Sequence, residues 1–305
     1  MSSLRPRPGH GLLRCPPCRV ELTAAAGALV CRNRHGFDLA REGYVNLLRG
    51  GRRRPVAGGD TPAQLRHRAA FLDAGHFDAI ATTIAEHVNQ ADAKPASGQW
   101  RILDAGFGTG YHLARIAAAL PPPVVGLGLD ISKDAARQAA RGWPAVAFTV
   151  ADVWTEWPVP DAAVDLVISI FAPKSFPEAA RVLRPGGWLA VAYPGPDHVV
   201  ELRERFGLMG RHADTPRRYA EMARRFIGPS TFARLRRHVV LDDAAIRNAV
   251  LMGPNARHIS PFDTRSLTGA ARGDARRHRF VRTQSLRGTH GLRSPDKPVN
   301  PGRAV

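Results

Sequence analysis

The chain is 305 residues long, with 44 Lys and Arg against 26 Asp and Glu, a formal net charge of +18 and an isoelectric point near 11.3. That length suits one medium α/β domain with a small accessory unit, and no apolar run reaches the about 18 residues of a helix that crosses a bilayer. The charge sits at the ends, +7 over residues 1–60, +3 over 61–255 and +8 over 256–305, and localised basic segments of this kind fit a polyanionic partner.

The first residues lack the apolar core of a secretory signal, so the expected compartment is the cytoplasm, with no membrane association. All three cysteines then fall within 17 residues: Cys15 and Cys18 form a Cys-x2-Cys knuckle, and Cys31 precedes His35 by four positions. Three thiolates and an imidazole make a tetrahedral donor set for Zn²⁺. The odd cysteine count argues against a disulfide framework. Short strand-like pieces around Gly27 predict a hairpin that brings the knuckles together. Four protein ligands leave no coordination position for water, so the expected role is structural.

A basic, Gly-rich stretch, residues 49–60, has linker composition. Thr61 and Pro62 look like an N-cap and a first helical position, predicting helices over 61–73 and 78–89. Strands and helices then alternate: strand 101–105, helix 110–120, strand 124–130, helix 132–141, strands 145–151 and 164–171, helix 174–183, strand 187–193. Such alternation means an α/β fold, a parallel sheet with helices on both faces. Helices are expected over 199–209, 216–226 and 243–252, with a strand over 234–241. Beyond residue 255 the apolar pattern fades. The chain therefore divides into 1–59, a zinc module with a basic linker; 60–255, the α/β domain; and 256–305, a basic, poorly patterned tail.

The strand at 101–105 ends in Asp104 and turns on Gly106, Gly108 and Gly110 into a helix. Glycine tolerates positive φ and lacks Cβ, so a ligand can approach the backbone closely, and the helix N-terminus offers unpaired N–H groups. A fixed negative charge at Asp104 suits a cationic or amine-bearing ligand better than a pyrophosphate. Asp130 ends the next strand about 20 residues past the turn, where a ribose-binding carboxylate sits in nucleoside-binding units. Asp-x-Gly-x-Gly-x-Gly with that second acid resembles class I S-adenosylmethionine (SAM) methyltransferases, and the expected cofactor is SAM.

Further stretches narrow the resemblance: Cys31 to Asp38, Ala40 to Leu48, Phe71 to Phe77, Leu129 to Lys133, Phe171 to Pro173, Arg184 to Trp188 and Pro194 to His198. Together they resemble the RlmA/RrmA-type 23S rRNA (guanine-N1)-methyltransferases, from about Leu13 to Met252. Ala151 to Trp154 and Met252 to Pro254 lean toward the actinomycete tylosin- and mycinamicin-resistance branch. The resemblance implies a Rossmann-like SAM methyltransferase sheet with an N-terminal zinc module, 23S rRNA as partner and a homodimer. It implies Cys15, Cys18, Cys31 and His35 as zinc ligands. Phe77, Gly108, Thr109 and His198 match cofactor contacts, Asp130 the ribose ligand and Asp152 the adenine ligand. Relatives carry a helix and a last strand after about residue 260; here that segment shows neither pattern.

Methylation at guanine N1 requires loss of the N1 proton as the nitrogen attacks, so the gain comes from positioning and from a base within reach. His198 and Asp197 are candidates for that base, with His76 third. Two alternatives remain open at this point, a natural-product methyltransferase and a non-catalytic zinc-ribbon RNA-binding protein.

Overall fold

The computed structural model describes residues 4–48, 59–90, 95, 97–208 and 215–257, together with the backbone of 278–290. Its first part is a three-stranded antiparallel sheet, β1 (Thr23–Ala25), β2 (Ala28–Val30) and β3 (Gly36–Asp38), with β2 in the middle. A two-residue strand, β4 (Val45–Asn46), follows and leaves that small sheet. Helix α1 (Pro62–Asp73) starts on a reciprocal cap: the Gln64 amide donates to Thr61 Oγ1 at 3.2 Å, and the Gln64 side chain accepts from the Thr61 amide at 3.0 Å. Such a cap stabilises a helix start by about 1 kcal/mol. Helix α2 (Asp78–Gln90) comes next.

The alternating segment then runs β5 (Trp100–Ala105), α3 (Tyr111–Ala119), β6 (Val124–Asp130), α4 (Lys133–Gly142), β7 (Ala147–Val150), β8 (Val164–Ile170), α5 (Phe176–Val182) and β9 (Leu183–Pro194). After it come α6 (Val200–Phe206), α7 (Thr215–Phe226), β10 (Ser230–Leu241), α8 (Asp243–Leu251) and β11 (His278–His290). These segments match those the periodicity predicts up to residue 252, within a few residues at their ends. The large sheet has the order β10-β11-β9-β8-β5-β6-β7-β4. Its strands from β4 to β9 are parallel, and β11 lies antiparallel between β9 and β10.

β8 is buried along its whole length, as expected of a central parallel strand covered on both faces, and its two polar residues, Asp165 and Ser169, are buried with it. Alternate residues still feed opposite faces. Ile102, Leu166 and Ile168 pack with α1, α2 and α3 through Phe71, Ile80 and Ile116, whereas Leu103, Val167 and Val191 join Phe176 and Val182 on the other side. From β5 the chain winds outward through β6 and β7, then returns to the other side of β5 as β8. The strand order therefore reverses between β5 and β8, and a crevice opens at their carboxyl ends.

Two features depart from the sequence reading. The segment 256–305, read as an unpatterned tail, contains β11, which pairs with β10 from Ser230↔Thr289 to Leu241↔His278 and with β9 from Pro194↔Gln284 to Trp188↔His290. Backbone hydrogen bonds to a strand on each side need no side-chain alternation, so nothing in the local pattern announces the strand. The zinc module also pairs with the large sheet directly, a contact that its sequence does not announce. β4 pairs in parallel with β7, the Leu47 amide donates to the Val150 carbonyl at 2.9 Å, and Leu13, Leu29 and Leu39 share a core with Leu103 and Leu127. Residues 49–58 lie outside the described residues.

The N-terminal segment straps module and domain together. The Arg7 guanidinium donates to the carbonyls of Ala140 (2.6 Å), Val146 (2.8 Å) and Trp143 (3.1 Å) at the end of α4, and to Glu42 (2.9 Å). The Ala140 carbonyl lies in the last turn of α4, where a helix end leaves acceptors without an intrahelical donor. His10 behind it is fully buried, its Nδ1 accepting from the Arg7 amide at 3.1 Å and its Nε2 lying 3.3 Å from the Phe148 carbonyl. Burial lowers its pKa to about 4, a shift opposed by the Phe148 carbonyl and aided by Arg7. The unfolded chain, with an ordinary histidine pKa near 6.5, takes up this proton first. Stability is therefore lost as pH falls from about 6.5 to about 4, by up to about 3 kcal/mol. Urea denaturation across that range should show the slope, and His10→Gln should flatten it; an equal slope in the variant would place the titration elsewhere.

Candidate functional site

The metal cluster comes first in the chain. Cys15 Sγ, Cys18 Sγ, Cys31 Sγ and His35 Nδ1 all lie within 4.8 Å of one another. His35 Nδ1 is 3.4, 3.6 and 3.5 Å from the three sulfurs in turn, and Cys18 and Cys31 Sγ are 3.7 Å apart. A tetrahedron with Zn–S bonds of 2.3 Å has edges of about 3.8 Å, so the donors fit zinc in type and in spacing. Two turns make the fit. Arg19 takes a positive φ and donates its amide to the Cys15 carbonyl at 2.7 Å; Arg34 takes φ +63° and donates to the Cys31 carbonyl at 2.9 Å. The second turn leaves Arg32 and Arg34 exposed on the rim of the site.

The second site lies in the crevice at the ends of β5 and β6. Asp104 pairs with Ile168 in β8 and Gly128 in β6, so it ends a strand held on both sides. The turn after it uses glycine at φ +88° (Gly106), +55° (Gly108) and +74° (Gly110). A Cβ on Gly106 would collide with the Cβ of Ala172, and one on Gly108 would lie 3.1 Å from Arg68 Nη1. The turn closes onto Asp130, whose two carboxylate oxygens accept from the amides of Gly108 and Ser132, each at 2.9 Å. Thr109 is buried, and its carbonyl accepts from the Trp143 indole at 3.1 Å.

Two buried acids at adjacent strand ends set the electrostatics. Burial, with the neighbouring charge of Asp130, holds the Asp104 pKa well above the ordinary carboxylate range. Burial also raises that of Asp130, against the two amides that favour its charged form. Asp104 Oδ1 is buried with no hydrogen-bond partner among the described residues. An orphan acceptor of this kind is costly unless a ligand supplies a donor. SAM carries both an ammonium group and a sulfonium, and its ribose diol suits a carboxylate like Asp130. The donor set therefore fits this cofactor.

Asp152 follows β7, and the preceding amide, that of Ala151, donates to the Asp130 carbonyl, so the two acids sit at neighbouring strand ends. Asp152 Oδ1 accepts from the Trp154 amide at 2.9 Å. Phe77 is buried between α1 and α2, its ring 6.4 Å from His198 and 6.3 Å from His112, which follows the glycine turn. Phe77 thus lies beside the start of α3, and His198 lies beside Phe77. His76 instead packs at a tilt against Phe71, with ring centroids 4.6 Å apart, and the Asp197 carboxylate is ion-paired with Arg236 at 3.1 Å. Two groups at the site escaped the sequence reading. Arg68 binds Asp60 and donates to the Met252 carbonyl at 2.8 Å, and Phe171 lies 5.3 Å from Phe77. Arg68 belongs to no spaced motif, and the Phe171 to Pro173 stretch carries family resemblance without assigning its aromatic ring a role, so the packing of α1 and of β8 reveals both.

Fold and sites together define a SAM-dependent methyltransferase of class I with a structural zinc ribbon. Residues 13–53 match the family described as RlmA, N-terminal, and residues 102–187 match a methyltransferase domain. A 23S rRNA (guanine(748)-N(1))-methyltransferase of Streptomyces fradiae is 40% identical over 82% of this chain and 87% of its own. A Micromonospora griseorubida protein, named provisionally for the same guanine-N1 activity, is 40% identical over 82% of this chain and 88% of its own. The YcgJ protein of Bacillus subtilis, a solved structure, is 18% identical, with a TM-score of 0.45 over 64% of this chain and 93% of its own. The chain belongs to the family of RlmA-type 23S rRNA (guanine-N1)-methyltransferases.

Asp130→Ala should weaken SAM binding by roughly 10- to 150-fold, the loss of a charged hydrogen-bond acceptor. Calorimetric titration of a folded variant with unchanged affinity would remove Asp130 from the site. Stripping the metal with a chelator, or Cys15→Ser, should release one zinc per chain and abolish RNA methylation, because metal binding is folding energy for the small module. Full RNA methylation by zinc-free protein would show the cluster to be dispensable.

Proposed function

We propose that this protein methylates N1 of a guanine in a hairpin loop of 23S rRNA near the peptide exit tunnel, and that the modification confers macrolide resistance of the tylosin and mycinamicin type. The observation that carries the reading is the fusion of an arginine-rimmed zinc ribbon to the same sheet whose carboxyl edge holds the two acids. The ribbon is fastened there by β4 and by Arg19, whose Nη2 lies 2.6 Å from Glu156 Oε2. A small-molecule substrate has no use for an exposed cationic turn fixed to the sheet in this way. The names of the two 40% identical relatives support the base and the atom.

In this reading residues 1–59 grip RNA and residues 60–255 hold the methyl donor, with action in the cytoplasm as a homodimer. SAM supplies an electrophilic methyl carbon. Asp104 takes the ammonium end of the methionine portion, Asp130 the ribose hydroxyls and Asp152 the adenine amine. Gly106, Gly108, Thr109 and Gly110 lend backbone without steric bulk, and Phe77 packs beside the cofactor. His198 accepts the N1 proton, because it is the candidate that adjoins Phe77. Asp197 holds Arg236 instead, and His76 faces Phe71. A loop guanine is the right kind of target, since an unpaired base enters such a crevice at little cost.

Primer extension on 23S rRNA from cells with and without the protein tests the reading. A new stop one base before a guanine, with a raised tylosin tolerance, is expected; an unmodified 23S rRNA would end it. The grip on RNA has its own test. Replacing Arg32 and Arg34 with Ala should raise the RNA Michaelis constant and flatten its salt dependence by roughly one unit of slope per lost phosphate contact, with SAM affinity unchanged. Wild-type salt dependence in the double variant would assign phosphate binding elsewhere. Arg52, Arg53 and Arg54, the other cations expected to contribute, lie outside the described residues.

A further inference from the structure

Among the described residues, five large hydrophobic side chains remain exposed: Leu4, Trp154, Phe171, Phe232 and Val240. Phe171 differs from the other four in place and in backbone. It directly follows β8 on the strand beside Asp104, and its neighbour Ala172 fills the space that a Cβ on Gly106 would need. Its amide donates to the Ala192 carbonyl of β9 at 3.0 Å, and its φ is +54°. A bulky residue in the left-handed region is an outlier, and strain of this sort points to a use for the side chain it presents.

The ring of Phe171 lies 5.3 Å from Phe77 and 6.1 Å from His198, yet 38% of the residue stays open to solvent. It has an aromatic backing on one side and a free approach on the other. The position also selects the ligand. Asp130 and Asp152 end β6 and β7 and draw the nucleoside end of the cofactor to that side of the turn. Phe171 ends β8 on the opposite side of β5, where the reacting end must lie and where the methyl acceptor must enter.

We propose that Phe171 is the platform on which the acceptor base stacks, presenting the edge of a purine to His198 and to the transferable methyl group. This deepens the function proposed above and rests on it. An unstacked base loses its neighbours' π-contacts, and an aromatic ring restores them with little regard to hydrogen bonding. Phe171 would therefore hold the base in plane while other groups choose the atom.

The test uses the full chain with unmodified 23S rRNA transcript, following methyl transfer alongside calorimetric SAM titration. Phe171→Ala should lower kcat/KM for RNA by roughly 5- to 150-fold, the range expected for one lost base–aromatic stack, with SAM affinity within about twofold. Phe171→Trp should keep most of the activity. Phe171→Gly should melt no lower than the wild type, since glycine accepts this φ, yet lose activity as the Ala variant does. Wild-type activity in the Ala and Gly variants overturns the proposal. So does a loss of SAM affinity matching the loss of activity, which makes the ring a wall of the cofactor site. A wild-type chain that methylates no guanine in the transcript defeats the underlying function itself, and is told apart because every variant is then equally inactive.

Discussion

Two carboxylates brought to the same edge of a sheet organise this protein. Asp104 is the penultimate residue of β5 and Asp130 the last of its parallel neighbour β6, so both acids lie at the carboxyl edge of the sheet beside the point where the strand order reverses. Burying two acids together raises the cost of charge on each. The glycine turn answers part of that cost, since it can bend far enough for the Gly108 amide to reach Asp130. The remainder, the orphan oxygen of Asp104, is left for a ligand with a donor. Cofactor choice follows from this arrangement, because a pyrophosphate would add charge to an acidic pair and an ammonium would relieve it.

Everything around the crevice is arranged with respect to that edge. Helices α1 and α2 carry Phe77 and Arg68 to it from one face. The loop after β9 carries His198, and the end of β8 carries Phe171. The zinc ribbon reaches the same edge by another route. Its last strand, β4, becomes the edge strand beside β7, and Arg14 and Arg19 hold Glu156 in the loop that follows Asp152. Arg7 and His10 complete the fastening behind α4. The metal therefore fixes a turn whose position relative to the cofactor crevice is set by the domain's own backbone hydrogen bonds.

The sequence by itself determined the elements whose physics is local. The Cys-x2-Cys and Cys-x3-His spacings, the Asp-x-Gly-x-Gly-x-Gly turn and the capped start of α1 each depend on residues a few positions apart, and the buried strands announce themselves as mostly apolar segments. Their order along the chain specifies the parallel α/β sheet. Pairings between distant segments were decided only by the tertiary structure. β11 has a mixed pattern and becomes a strand because β9 and β10 offer it unpaired backbone on both sides. β4, two residues long, carries no signal until β7 is there to receive it. The surroundings of each candidate base belong to the same class. Asp197 and His198 are adjacent in sequence, and they part company because Arg236 and Phe77 arrive from elsewhere in the chain. Local chemistry is written in neighbouring residues, whereas the neighbours that a side chain meets in space come from long-range packing, which no short window of sequence contains.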